Sequence, residues 1–237
     1  MSSSKALVFG GTGTVGSAVL AGLARAGVPT VFTYRTQREK AEALAREHSQ
    51  RGVAVDLARP KEIRSLLQSL AREGHSADIF VHCAATSRSL PLAAISDDDF
   101  QAVNIVNAHS AFVACQELAP AMIERGSGHV VLIGAIDRTQ SLPAPIHYAA
   151  SQGALSTMAM SLGKELGRHG VRVNLLALGL LETGLSREIS PKLVEDYKSF
   201  SALRRLGTAE EAARAALFLA LENTYMNGRV LAVNGGL

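Results

Sequence analysis

The chain of 237 residues has no tryptophan, two cysteines and only 5% aromatic residues. A nucleic-acid binder would show aromatic platforms beside a basic cluster. Here the formal charge is only +3, and Lys and Arg alternate with Glu and Asp over stretches such as 38–51, the pattern of a solvated helix face. No nucleic-acid partner is expected. No apolar run approaches the roughly 18 residues that a membrane span needs, so no membrane partner is expected either. Met1 to Lys5 lead into a strand-like run without the apolar segment of a secretory leader, and a cytoplasmic location is the expectation. Cys83 and Cys115 stand in apolar surroundings with no disulfide or metal-ligand spacing, which predicts reduced core thiols and no metal site.

Apolar residues make up 47% and charged residues 19%, an ordinary balance for a globular chain with a substantial core. Short β-type runs alternate with amphipathic helical runs from end to end. Strands are predicted at 5–9, 30–34, 52–56, 79–83, 129–133, 172–177 and 230–233, with helices at 15–26, 37–48, 60–73, 97–125 in two pieces, 148–167 and 209–221. This pattern predicts an α/β fold: a Rossmann-type, doubly wound, seven-stranded parallel sheet in a single domain spanning 1–237. Its ligand crevice should lie beyond the carboxyl ends of the strands. The long excursion 179–206, with Pro191 and a helical piece at 192–199, is predicted as a lid over that crevice; a plain connection is the alternative.

The first strand runs into Gly10-Gly-Thr-Gly13-Thr-Val-Gly16, which opens a helix. Glycines let a backbone turn tightly and approach a pyrophosphate, whose charge the free N–H groups of a helix start can hold. Gly10, Thr12, Gly13, Thr14, Val15 and Gly16 are therefore candidate cofactor-binding residues. A glycine turn that merely joins a strand to a helix would look similar. At the end of the second strand an NAD-binding site places an acid against the ribose hydroxyls. This chain has Tyr34-Arg35-Thr36 instead, and an Arg there pairs with a 2′-phosphate. The expected cofactor is NADP(H).

Further segments carry a resemblance to a known family. Gly10 and Gly16 match its GxxxGxG motif, with Thr14 at the middle glycine and Gly13 one residue earlier. Asp56-Leu57 follows the third strand, and His82-Cys-Ala-Ala85 stands where the family has Asn-Asn-Ala-Gly, keeping only Ala84. Asp99-Phe-Gln-Ala-Val-Asn-Ile-Val-Asn107 resembles the helix bearing the family's structural and catalytic Asn. Arg172-Val-Asn174, Ala177-Leu-Gly179 and Glu182-Thr183 resemble its RVN…PG…T segment, and its closing pieces are matched by 205–211 and 228–237. Along nearly its whole length the chain resembles the short-chain dehydrogenase/reductase family, most of all its 3-oxoacyl-carrier-protein reductases. The resemblance implies cofactor contacts from Asp56, Leu57, Ala84, Gly179 and Thr183, and a small-molecule or carrier-bound acyl substrate. It also implies a homotetramer built on the helices at 107–125 and 148–167.

The resemblance also locates the reaction. In the family a Tyr protonates the substrate oxygen, and a Ser thirteen residues earlier hydrogen-bonds that oxygen. A Lys four residues after the Tyr lowers its pKa and holds the nicotinamide ribose, while an Asn anchors a proton-relaying water. Tyr148 and Asn107 are present here, but Ala135 and Gln152 occupy the Ser and Lys positions. Tyr148 and Gln152 share a helical face, and Gln152 can still hydrogen-bond a ribose hydroxyl. Without the Lys charge the phenol is expected to titrate near its reference value of about 10. His82, His147, Ser141 and Asp137 are the substitute groups expected near the crevice. Three functions stay open. The first is NADPH-dependent reduction of a 3-oxoacyl thioester or related ketone through Tyr148. The second is a subunit or binding protein of the same fold with little activity, pairing with an active homologue in a hetero-oligomer. The third is non-redox dehydration or cyclisation.

Overall fold

The computed structural model describes residues 4–135 and 144–237. Its strands are β1 (Ala6–Phe9), β2 (Thr30–Tyr34), β3 (Arg51–Ala54), β4 (Ile79–His82), β5 (Gly128–Gly134), β6 (Val171–Leu178) and β7 (Val230–Val233). They form one seven-stranded sheet in the order β3-β2-β1-β4-β5-β6-β7, parallel throughout. The helices are α1 (Thr14–Arg25), α2 (Arg38–His48), α3 (Pro60–Arg72), α4 (Asp97–Asn104), α5 (Ser110–Arg125), α6 (Ile146–Gly167), α7 (Pro191–Phe200) and α8 (Ala209–Leu217). The doubly wound single domain expected from the alternating pattern is the one observed.

Successive side chains of a strand point to opposite faces, and both faces here are covered. Leu7 and Phe9 enter one core with Phe80, Leu132 and the inner sides of α3, α5 and α6. Ala6 and Val8 enter the other with Val81, Val131 and the inner sides of α1, α2 and α8. Phe9 meets Phe80 edge-on at 5.0 Å. Burying each such ring or branched side chain contributes about 1.5–3 kcal/mol, which holds the strand ends rigid beneath the crevice.

Several boundaries shift from the sequence expectation for local reasons, and the break expected within 97–125 is located. β3 ends at Ala54 because Asp56 leaves the sheet, its Oδ1 accepting from Ala58 N at 3.0 Å and its carbonyl from Arg59 N at 2.9 Å. The run predicted at 97–125 divides where a π turn, Ile105–His109, separates α4 from α5. Such turns commonly mark functional sites, because one inserted residue redirects the side chains that follow. α6 begins at Ile146, directly after Pro145. The excursion after β6 contains a 3₁₀ turn, Gly184–Glu188, and α7, which is anchored by the buried Tyr197 donating to Asn234 O at 2.7 Å.

Candidate active site

The strand order reverses between β1 and β4, and there the two chain ends diverge to leave a crevice. Gly10 turns the chain out of β1 at φ +75, where a Cβ would lie 2.9 Å from the Ala84 backbone just beyond β4. A Cβ on Gly16 would stand 2.2 Å from Gly10 O, so Gly16 closes the helix onto the turn. Gly13 precedes α1 without any side-chain cap, leaving the first N–H groups of a 12-residue helix to a ligand.

The resulting cleft measures about 260 Å³ and is lined by Gly10, Thr12, Gly13, Arg35, Asp56, Leu57 and Ala84, with Thr86 and Val106 at its far end. Seven of the candidate cofactor residues thus share one surface. The other candidates do not line this cleft. Val15 packs against the core, Thr14 faces Gly184 of the excursion, Gly179 abuts the Tyr197 hydroxyl and Asn234, and Thr183 precedes the 3₁₀ turn. Cys83 packs against the core as expected but is only half-buried, because its other side forms part of the cleft wall; desolvation pushes its thiol up to about 12. Cys115 is buried, as expected.

Charge at the rim favours an anion. Arg35 is exposed on the cleft edge, and the end of β2 carries no carboxylate. The carboxylate of Asp56 caps Ala58 N and pairs with Arg59 at 3.6 Å. Among the described residues no group of His, Cys, Asp and Glu is arranged to hold a metal.

A hydrogen-bond chain joins the far end of the cleft to α6. Asn107, fully buried in the π turn, accepts from Thr86 N at 2.8 Å and donates to Thr86 O at 2.9 Å, clamping that peptide on both sides. Its Nδ2 also lies 3.0 Å from Ser151 Oγ, and Ser151 donates to Tyr148 O at 2.7 Å. Neither Thr86 nor Ser151 was singled out in the sequence. Ser151, a polar residue three after Tyr148 inside an apolar helix, was the available signal.

Tyr148 is half-buried in the opening turns of α6. Burial pushes its phenol up to about 12, not to the expected value near 10. The expectation counted only the missing Lys charge and omitted desolvation of the phenolate. Gln152, 1% exposed, turns Oε1 to accept from Ala135 N at 3.0 Å, while its Nε2 is buried without a partner among the described residues. An orphaned buried donor is a fit for a ligand hydroxyl, since leaving it unmade costs about 1–3 kcal/mol. The glycine cradle, the uncapped start of α1, the cation at the rim and this orphaned amide together suit a dinucleotide.

The histidines differ in setting. His82 is fully buried, its Nε2 lying 2.7 Å from Ser110 Oγ, which donates to Val106 O at 2.6 Å in the π turn. With the serine hydrogen directed to Val106, Nε2 is the protonated nitrogen and Nδ1 is left without a partner among the described residues. Burial lowers the His82 pKa to about 4. His147 is also fully buried, with neither ring nitrogen partnered among the described residues, and it lies on the helix side of Ser151 rather than of Gln152. Asp137 and Ser141 lie outside the described residues.

Residues 12–237 match the family described as enoyl-(acyl carrier protein) reductase. The 3-oxoacyl-[acyl-carrier-protein] reductase FabG of Escherichia coli is 29% identical over 235 residues, covering 98% of this chain and 96% of the relative. A gluconate 5-dehydrogenase from Burkholderia cenocepacia, solved in complex with NADP and tartrate, superposes with a TM-score of 0.92 at 30% identity, covering 100% of this chain and 96% of that one. A short-chain dehydrogenase/reductase of Serratia marcescens superposes with a TM-score of 0.89 at 26% identity over 98% of this chain and 97% of that one.

Proposed function

The chain belongs to the short-chain dehydrogenase/reductase family of oxidoreductases, and we propose that it reduces the ketone of a 3-oxoacyl thioester or a related carbonyl compound with NADPH. The observation that carries this reading is the continuous link from an Arg35-bearing cleft, whose β2 end carries no carboxylate, through Thr86, Asn107 and Ser151 to the helix of Tyr148. Relatives support the two halves separately: the Escherichia coli protein is named for 3-oxoacyl reduction, and the Burkholderia structure holds NADP.

The nicotinamide cofactor, when bound, supplies the hydride that adds to the carbonyl carbon. The chain's own residues do the rest. Gly10, Gly13 and the start of α1 would hold the pyrophosphate, Arg35 the 2′-phosphate, and Asp56 and Leu57 the adenosine. Gln152 Nε2 would donate to a ribose hydroxyl, while its Oε1 keeps hold of the β5 exit at Ala135. Tyr148 gives its phenolic proton to the oxygen that becomes negative as the carbonyl is reduced, so hydride and proton together make the alcohol. A phenol raised to about 12 stays neutral at physiological pH, the protonation state that reduction requires. Asn107 positions the cleft end against α6 and is spent on that task through both of its amide atoms.

A second reading has its own observation. Gln152 Oε1 is taken by Ala135 N, and no hydroxyl or ammonium stands at either position, as in a fold-sharing subunit with little activity. Purified protein separates the two: NADPH consumption with an acyl-thioester ketone supports reduction, whereas NADPH binding without turnover supports the subunit. We also propose that residues 179–206 act as the substrate lid and that the helices 107–125 and 148–167 build a homotetramer. The exposed Phe112 and Ile146 on α5 and α6 support that assembly.

A further inference from the structure

We propose that Lys40 is a second phosphate-reading residue of the cofactor cleft, working with Arg35; the proposal rests on the NADPH reading and names a residue that reading does not use. Lys40 sits in the first turn of α2, where an exposed lysine would ordinarily swing free in water. Its Nζ instead donates to Thr12 O at 2.7 Å, across 28 residues, onto the glycine turn that floors the cleft. A carbonyl fixes the ammonium without neutralising it and uses one of its three donors.

The neighbouring charges isolate this pair. Arg38 is taken by Glu42 at 2.8 Å, and Arg59 by Asp56 and Glu62. Among the described residues, Arg35 and Lys40 have no carboxylate partner at this end of the cleft. Thr36 and Gln37, which line the cleft between them, lead into α2, and Gln37 makes no side-chain cap there. Arg35 at the cleft rim, Lys40 held on Thr12 O of the cleft floor and the positive start of an 11-residue helix therefore flank the same cleft. That arrangement suits a phosphate monoester dianion, the group that distinguishes NADPH from NADH, better than it suits a ribose hydroxyl.

The test uses the whole chain with adenosine 2′,5′-bisphosphate and adenosine 5′-monophosphate, titrated by calorimetry so that no turnover is needed. Lys40→Met is expected to weaken the bisphosphate by about tenfold and the monophosphate by less than about twofold, and Lys40→Arg to retain most of the bisphosphate affinity. Equal weakening of both probes by Lys40→Met would show a brace for the glycine turn and overturn the proposal, as would no change in either. If Arg35→Ala removes the preference for the bisphosphate and Lys40→Met does not, Lys40 falls while the NADPH reading stands. If the unaltered protein shows no preference, both fall together.

Discussion

The backbone N–H of Ala135 donates to Gln152 Oε1 over 3.0 Å, so the two positions that lack the family's Ser and Lys are tied to each other. Gln152 is thereby used as a brace between the exit of β5 and α6, a task an ammonium could not perform because it has no acceptor. The same rotamer leaves Nε2 buried and, among the described residues, unpartnered on the helical face it shares with Tyr148.

Restoring both groups, Ala135→Ser with Gln152→Lys, is expected to raise ketone reduction by at least about 10-fold in protein that keeps its circular dichroism spectrum. General acid–base and oxyanion-type groups usually contribute about 10²- to 10⁴-fold, so this bound is cautious. Steady-state NADPH oxidation measures it. A fast unaltered enzyme that slows on restoration would mean that the Ala135–Gln152 pair belongs to an adapted site.

Tyr148→Phe should abolish reduction. Residual activity within about threefold of the unaltered protein would transfer the acid role to His82 or His147. The pH profile carries a second signature. With the phenol at about 12, only about one in a hundred thousand is phenolate at pH 7, so Tyr148 imposes no fall in reduction rate between about pH 6 and 9. Oxidation of the corresponding alcohol needs the phenolate as base and should rise about tenfold per pH unit over that range.

Arg35→Ala should weaken NADPH by about tenfold or more and leave NADH within about twofold, because the charge-assisted contact is made only to the phosphate. Equal affinities for the two cofactors, before and after the change, would contradict this assignment.

His82 links stability to acid. Its pKa is about 4 in the folded chain, lowered by burial from an ordinary 6.5. A depressed folded pKa means that the unfolded chain binds the extra proton first, so this contribution is intact above about pH 6.5 and is lost as pH falls towards 4. Melting curves across that range should show a shallower acid loss in His82→Asn than in the unaltered protein. Parallel curves would place the linkage elsewhere.

The fold was legible because its signals are local. The continuous apolar run Ala6-Leu-Val-Phe9, the glycine turn at 10–16 and the spacing of Tyr148 from its helix neighbours are all properties of short windows, and a parallel sheet buried on both faces leaves few other arrangements for them. Arg35 was readable as a cleft residue because it directly follows a strand, and Asp56, Leu57 and Ala84 because the resemblance to the family implies cofactor contacts there. What sequence alone could not determine were the contacts between residues far apart in the chain. Gln152 meets Ala135 across 17 residues, Asn107 meets Thr86 across 21, and Lys40 meets Thr12 across 28. The phenol of Tyr148 was likewise misjudged because desolvation depends on what packs around it in three dimensions, and composition and spacing carry no record of that.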